Sequence, residues 1–336
     1  MPSLTADEIE QLRITHFIFH VVHHGQPEPI LLDAVPIGLG SVPIGDFERF
    51  FLGRVSDTLK GNRFDFTAGS LTRDNLAAIA SAPGRFVDVS QTLARQFHSH
   101  DDLRIKRGVL IVMVLRTGTR RLYSLIKYDH EKVVAFDVQD TTAILTDVVN
   151  SFTESPAALQ KSALIELMQQ GGELAIIDRN TRTGISGFFE RFLGVTRRHS
   201  ETEMTKGIVD ATLKTVQRHR LELPSDITTR VKPKILEITQ NRTSFDAEQF
   251  VGDFFGAHGS DAIRATFQGE LERRNLAGEA FTYDRSAVPA AGPRKYVTNE
   301  GIRLVVPESA LGTFSQTTDS DGWTTVTIRT RQVTEQ

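Results

Sequence analysis

The sequence contains no cysteine. That excludes a disulfide scaffold, a cysteine-ligated zinc site, an iron–sulfur cluster and a cysteine nucleophile. Long apolar runs are missing too. The longest, residues 109–115, is seven residues. A membrane-spanning helix needs ~20 apolar residues, so this run reads as a buried strand. Residues 1–12 carry Asp7, Glu8 and Glu10 and no basic stretch, unlike a secretory signal. The expectation is a cytoplasmic protein with no membrane partner. An excess of basic charge is absent as well. The 39 Lys+Arg face 42 Asp+Glu, a net −3, which argues against a protein coated with cations but leaves a local basic face open.

Catalytic and cofactor motifs are equally scarce. No glycine-rich run leads into Lys and Ser/Thr, so there is no P-loop, and Gly38-Leu39-Gly40 lacks a third glycine. No Gly-x-Ser-x-Gly elbow and no His-Glu-x-x-His helix occurs. No cofactor and no enzymatic activity are expected.

What is present has clear periodicity. Residues 13–23 alternate around Phe17, Phe19 and Val21 and read as a strand, with a second strand at 30–35. Phe47, Phe50, Phe51 and Val55 recur at helical spacing over 44–59, and Val89, Leu93 and Phe97 do so over 87–98. Residues 108–116 and 121–128 flank Thr117-Gly118-Thr119, a hairpin turn, and 132–138 would extend the meander. The first of these strands is apolar on both faces, which implies a sheet covered on both sides.

Pro156 opens a different regime: Leu159, Leu164, Leu167 and Met168 predict an amphipathic helix ended by Gly171-Gly172. A strand at 174–177 and a helix at 183–193 follow, with Gly194 as its left-handed cap. Ser200 and Glu203 have capping-box spacing ahead of a helix carrying Met204, Ile208, Leu213 and Val216. Further helices are expected from Pro224, interrupted at Pro233, and over 246–255 and 261–274. Residues 287–293 form a connector, and strands at 301–306 and 323–330 surround a turn at 319–322. The fold expected is α+β. A mixed sheet with helices occupies residues 1–155, and a mainly helical domain with basic helices and a terminal β-hairpin occupies 156–336.

Two clusters invite a metal. His16, His20, His23, His24, His98 and His100 are six of the ten histidines, and His16 and His20 share one strand face. No carboxylate is patterned with them, so a strand end and a helix C-terminus account for them better. Asp129, Glu131, Asp137 and Asp140 suggest a magnesium nuclease. The lysine expected two residues after an acidic ligand is not there, since Lys132 follows Glu131 directly. Surface turns explain this cluster, and no metal is expected. Phe50-Phe51, Phe188-Phe189, Phe192 and Phe254-Phe255 read as core.

Charge is segregated along the chain. Residues 1–100 hold 8 basic and 11 acidic residues, whereas 179–234 hold 12 basic against 6 acidic, a local +6. Lys206, Lys214 and Arg218 fall near one face of the helix after Ser200. Such a face suits duplex DNA, which carries a phosphate charge every ~1.7 Å. No aromatics interleave for stacking on single strands, and no helix-turn-helix or zinc finger appears for base readout.

Phe188-Phe189-Glu190-Arg191-Phe192-Leu193-Gly194 follows a short apolar strand and a basic Thr/Arg/Gly loop. This resembles the most recognisable segment of the bacterial 37-kDa nucleoid-associated protein family, and the similarity continues through 203–216. Weaker likeness covers 17–22, 109–128, 302–306 and 326–328. The resemblance implies binding to nucleoid DNA, with no catalytic motif to carry across. Divergent relatives occur as accessory genes, which adds defence against foreign DNA as an expected accessory role. This sequence departs from the pattern where Asp178 precedes Arg179, and where the basic stretch 224–234 replaces a Glu-rich linker.

The expected contacts to double-stranded DNA are Arg179, Arg182, Arg197, Arg198, Lys206, Lys214, Arg218, Lys232 and Lys234. A homo-oligomer, a dimer, is expected because a net-acidic chain gains avidity by presenting two basic patches. The alternatives are a metal-dependent nuclease or other nucleic-acid enzyme built on the Asp129–Asp140 cluster or the histidines, and a protein-interaction scaffold using the phenylalanine-rich helices.

Overall fold

Residues 109–115 do form a strand buried on both faces, and the architecture grows around it. The computed structural model describes residues 4–22, 27–34, 45–99, 107–129, 131–139, 142–152, 158–181, 183–289, 293–307, 310 and 313–333. In chain order, α1 (Ala6–Glu10) leads into β1 (Arg13–Val22), α2 (Gly45–Thr58) and β2 (Asn62–Phe66). Then come α3 (Leu71–Ser81), α4 (Phe86–Ser99) and the hairpin β3 (Gly108–Thr117) and β4 (Arg120–Asp129). A second hairpin, β5 (Glu131–Gln139) and β6 (Thr142–Ser151), precedes β7 (Leu159–Leu167), β8 (Gly172–Asp178), α5 (Gly187–Leu193) and β9 (Val195–Arg197).

The central sheet has seven strands in the order β1-β3-β4-β7-β8-β2-β9. Every ladder is antiparallel, so the sheet is not mixed in direction, while the α+β order of sheet, helices and terminal strands holds. Strands from both sides of residue 155 pair in it. One face packs Ile18, Val112, Val114 and Leu125 against Leu76, Leu93, Phe97, Phe188 and Phe192 of α3, α4 and α5. The other packs Phe17, Ile111, Met113, Ile126 and Leu164 against Phe51 and Val55 of α2.

The helical layer follows: α6 (Glu201–Arg218), α7 (Ser225–Thr229), α8 (Val231–Asn241), β10 (Ser244–Phe245), α9 (Ala247–Phe255), α10 (Asp261–Arg273) and β11 (Phe281–Thr282). Its own core joins Met204, Ile208, Ile235, Phe250, Phe254, Phe267 and Phe281. The chain then forms β12 (Arg294–Val297), β13 (Arg303–Val306), β14 (Phe314–Thr318) and β15 (Thr324–Ile328). These make two hairpins rather than one, β12 with β13 and β14 with β15. Tyr296 and Phe314 stack between them at 4.7 Å.

Local signals account for several boundaries. Ser200 accepts from the Glu203 amide at 3.2 Å, and the Glu203 carboxylate accepts from the Ser200 amide at 2.8 Å, closing the capping box of α6. Gly194 ends α5 at φ 63°, and a Cβ there would stand 2.8 Å from Ser70 Oγ. That close approach lets the Ser70 and Thr72 hydroxyls donate to the free carbonyls of Leu193 and Phe192, both at 2.6 Å.

Other expectations fail for physical reasons. Residues 158–167 are not a helix. β7 lies between β4 and β8 with both faces covered, so Ala163 and Ile165 enter one core and Leu159 and Leu164 the other. A strand buried on both faces needs no alternation, and its apolar run is indistinguishable from a helix face. The strand expected at 30–35 reduces to a single bridge from Ile30 to Val21, and Val35 lies outside the described residues. β5 pairs with β6 instead of extending the meander. Pro233 sits in the first turn of α8, where its missing N–H costs nothing, and the break falls at Arg230. β2 and α3 were not expected from the pattern.

His20 is fully buried. Its Nε2 lies 2.9 Å from Ser90 Oγ, and its Nδ1 accepts from the Leu32 amide at 3.1 Å. Burial, with Arg95 adding, lowers its pKa to about 4, against a smaller upward pull from Asp33. The unfolded chain therefore binds the extra proton first as pH falls. Stability present above pH ~6.5 should be lost down to pH ~4, by about 3 kcal/mol in total. Urea unfolding at a series of pH values checks this, and His20→Gln should flatten the slope.

Candidate nucleic-acid interface

The loop after β8 is organised by a buried carboxylate. Asp178 accepts from Lys161 Nζ at 2.6 Å, from the Asn180 amide at 3.0 Å, and from the amide and hydroxyl of Ser186 at 2.8 and 2.7 Å. Lys161 Nζ also donates to Ser186 Oγ at 3.0 Å and lies 5.8 Å from the Phe189 ring. The Ser186 hydroxyl donates to a carboxylate and accepts from an ammonium, so it is occupied on both sides and the arrangement orders a loop. Asp178 is thus the loop's anchor. Arg179 is exposed at its start, while Arg182 lies outside the described residues.

Arg197 and Arg198 are turned inward. Arg197 donates from Nη2 to Glu279 Oε2 at 2.7 Å and to the Ala280 carbonyl at 2.7 Å, and from Nη1 to the Thr183 carbonyl at 2.6 Å. Glu279 also accepts from the Arg63 amide at 2.7 Å, and Asn62 Oδ1 accepts from the Ala280 amide at 2.8 Å. The Glu279 side chain is 1% exposed. Gly278, at φ 80°, would bring a Cβ within 2.7 Å of the Lys60 carbonyl. Arg198 pairs with Asp65 and, at 3.0 Å, with Glu173. Arg197 joins the end of β9 to the segment that follows α10, and Arg198 joins it to β2 and β8. Their side chains are only 19% and 17% exposed, Arg197 held by buried Glu279 and Arg198 by Asp65 and Glu173.

The outer face of α6 is more mixed than its cations suggest. Lys206, Lys214 and Arg218 are exposed on one arc, but Glu203 and Asp210 are exposed on the same arc. The charge density lies one step further along, between α6 and α10. Glu270, almost fully buried, gathers three arginines: Arg273, Arg274 at 2.6 Å and Arg218 at 3.9 Å. Hydrogen bonds from Arg274, then Arg273, hold its carboxyl below the usual range despite burial. One carboxylate against three guanidinium groups leaves a net positive seam, with Lys214 one turn before Arg218. The Arg218 and Arg273 side chains are 55% and 57% exposed. Sequence reasoning missed Arg273 and Arg274 because the stretch of excess charge ended at residue 234. Lys232 and Lys234 are half-buried on α8, and the Lys234 ammonium lies 5.5 Å over the Phe254 ring.

Among the described residues, no group of three His, Asp or Glu side chains could hold an ion. Asp129 is paired with buried Lys127 at 2.8 Å. Glu131 and Asp137 lie on β5, while Asp140, His23, His24 and His100 lie outside the described residues. His16 packs on Phe86 at 5.1 Å. Among the described residues, no helix is long and apolar enough to cross a membrane.

Arg197→Ala strands the buried Glu279 carboxylate and should lower the unfolding free energy by about 3 kcal/mol. Lys214→Ala, at an exposed site, should change it by less than about 0.5 kcal/mol. Urea denaturation of both variants checks the division between clamp and surface.

No curated protein matches the chain. Residues 51–332 match the family model NA37, described as nucleoid-associated protein YejK. With that match running over most of its length, the chain belongs to this bacterial family of nucleoid-associated proteins.

Proposed function

We propose that the protein binds double-stranded DNA through its phosphates, with the α6–α10 seam as the principal contact. The observation that carries this reading is the gathering of Arg218, Arg273 and Arg274 around Glu270. An internal carboxylate fixes the guanidinium groups in place without cancelling their charge, so they meet a phosphate already ordered. Lys214 and Lys206 extend the seam along α6, and exposed Arg179 adds a cation on the loop that Asp178 anchors. Sequence dependence is weak, because phosphate contacts position a protein without reading bases. The protein acts as a binder rather than an enzyme, and as a homodimer whose two seams grip one duplex.

Each neutralised phosphate releases counterions, so log affinity should fall linearly with log salt, by about 0.9 per contact. Anisotropy of a labelled duplex over a salt series measures this. Lys214→Gln combined with Arg218→Gln should make the slope shallower by about two and weaken unrelated duplexes equally. An affinity indifferent to salt, or a slope unmoved in the double variant, overturns the seam as the contact surface.

A further inference from the structure

The end of the sheet formed by β1, β3 and β4 carries a second concentration of positive charge. Arg13, Arg116 and Arg121 are register partners across β1, β3 and β4, with Arg116 in the middle. Like charges facing one another on adjacent strands destabilise a sheet. All three are exposed, and among the described residues none is paired with a carboxylate. Their hydrogen bonds go to backbone oxygens: Arg13 to Leu12 at 2.7 Å, Arg116 to Gly118 at 3.1 Å and Arg121 to Ala80 at 3.0 Å. The next residue shows the contrast. Arg120 is bound by both Glu8 at 2.8 Å and Glu166 at 2.6 Å.

Arg116 and Arg121 line a cleft of about 200 Å³ together with Thr15, His16 and Pro83. At ~30 Å³ for a water-sized group, the cleft has room for a tetrahedral oxyanion. Tyr123 stands directly across from Val114, which also lines the cleft. It is 1% exposed, and no group accepts the proton of its buried hydroxyl. Burial raises the phenol's pKa, while a hydrogen bond from Arg121 and its charge pull it down, and a guanidinium can donate to the phenol oxygen but cannot accept its proton. Burial, then Arg121, lowers the pKa of His16 as well. A buried donor with nothing to donate to, beside Arg121 and below a cleft that Arg116 also lines, is an arrangement an anion completes.

We propose that Arg116 and Arg121, with the Tyr123 hydroxyl behind them, form a binding site for a phosphate group, distinct from the α6–α10 seam. β4 and β9 are four strand positions apart in the sheet, so about 19 Å separates this cleft from the strand that leads into α6. The phosphate belongs either to a nucleic-acid backbone or to a free phosphate. The recognition chemistry is the same for both.

Two measurements test the site. Inorganic phosphate should raise the melting temperature of the wild-type protein above its value in chloride of equal ionic strength. Arg116→Gln combined with Arg121→Gln should weaken phosphate at least about tenfold, since two charge-assisted hydrogen bonds are lost. The same variant should melt no lower than wild type without phosphate, because it relieves like-charge repulsion. Tyr123→Phe should weaken phosphate while leaving the phosphate-free protein as stable. If the phosphate comes from DNA, the double variant also makes the salt slope of duplex binding shallower by about two. If it is free phosphate, the slope stays unchanged while the phosphate response is lost. Both results support the site. Equal melting in phosphate and chloride, together with an unaltered duplex slope in the double variant, overturns it. The phosphate measurement involves no DNA, so it stands whether or not the seam binds a duplex.

Discussion

One buried carboxylate holds the two halves of the molecule in register. Glu279 accepts from the backbone of β2 at Arg63 and from the side chain of Arg197 at the end of β9. Removing a charge from water costs several kcal/mol, and only a partner with good geometry compensates. The helical layer must therefore stand where Glu279 meets both. Arg197 is followed within four residues by the first turn of α6. The direction of α6, and with it the seam against α10, follows from a contact that itself touches no ligand.

Family membership places the chain at the bacterial nucleoid, in the cytoplasm. Its net charge of −3 is compatible with that address because the charge is unevenly distributed. Carboxylates do two different things here. Glu270 lies beneath arginines that remain largely exposed, whereas Glu279 and Asp65 draw Arg197 and Arg198 inward. A count of charges along the chain treats these cases alike. Exposure of the paired arginine separates them: 55% and 57% for Arg218 and Arg273 against 19% and 17% for Arg197 and Arg198.

Much of this was legible in the residues, for local reasons. The capping box at Ser200 and Glu203, the left-handed Gly194 and the β3–β4 hairpin depend on neighbours a few positions away, and they appear as read. The segment from Phe188 to Gly194 was enough to point to the family. What escaped depends on distant partners. β7 looks helical until β4 and β8 cover both of its faces. Arg197 looks like a free cation until Glu279, 82 residues on, comes into view. Arg273 and Arg274 lie beyond the basic stretch and join it only through the packing of α10 on α6. His20 reads as part of a strand end, but α4 brings Ser90 over it.

The span of the Glu279 clamp also governs how the protein is made. The Arg63 amide and its acceptor lie 216 residues apart. Ribosomes add about 5–20 residues per second, so β2 emerges ~10 s or more before its anchor exists. β8 and β9, which flank β2 in the sheet, also arrive late. Phe64, 3% exposed in the finished protein, must wait uncovered on the nascent chain. A molecule whose first half is completed by its second is one that a chaperone has reason to meet during synthesis.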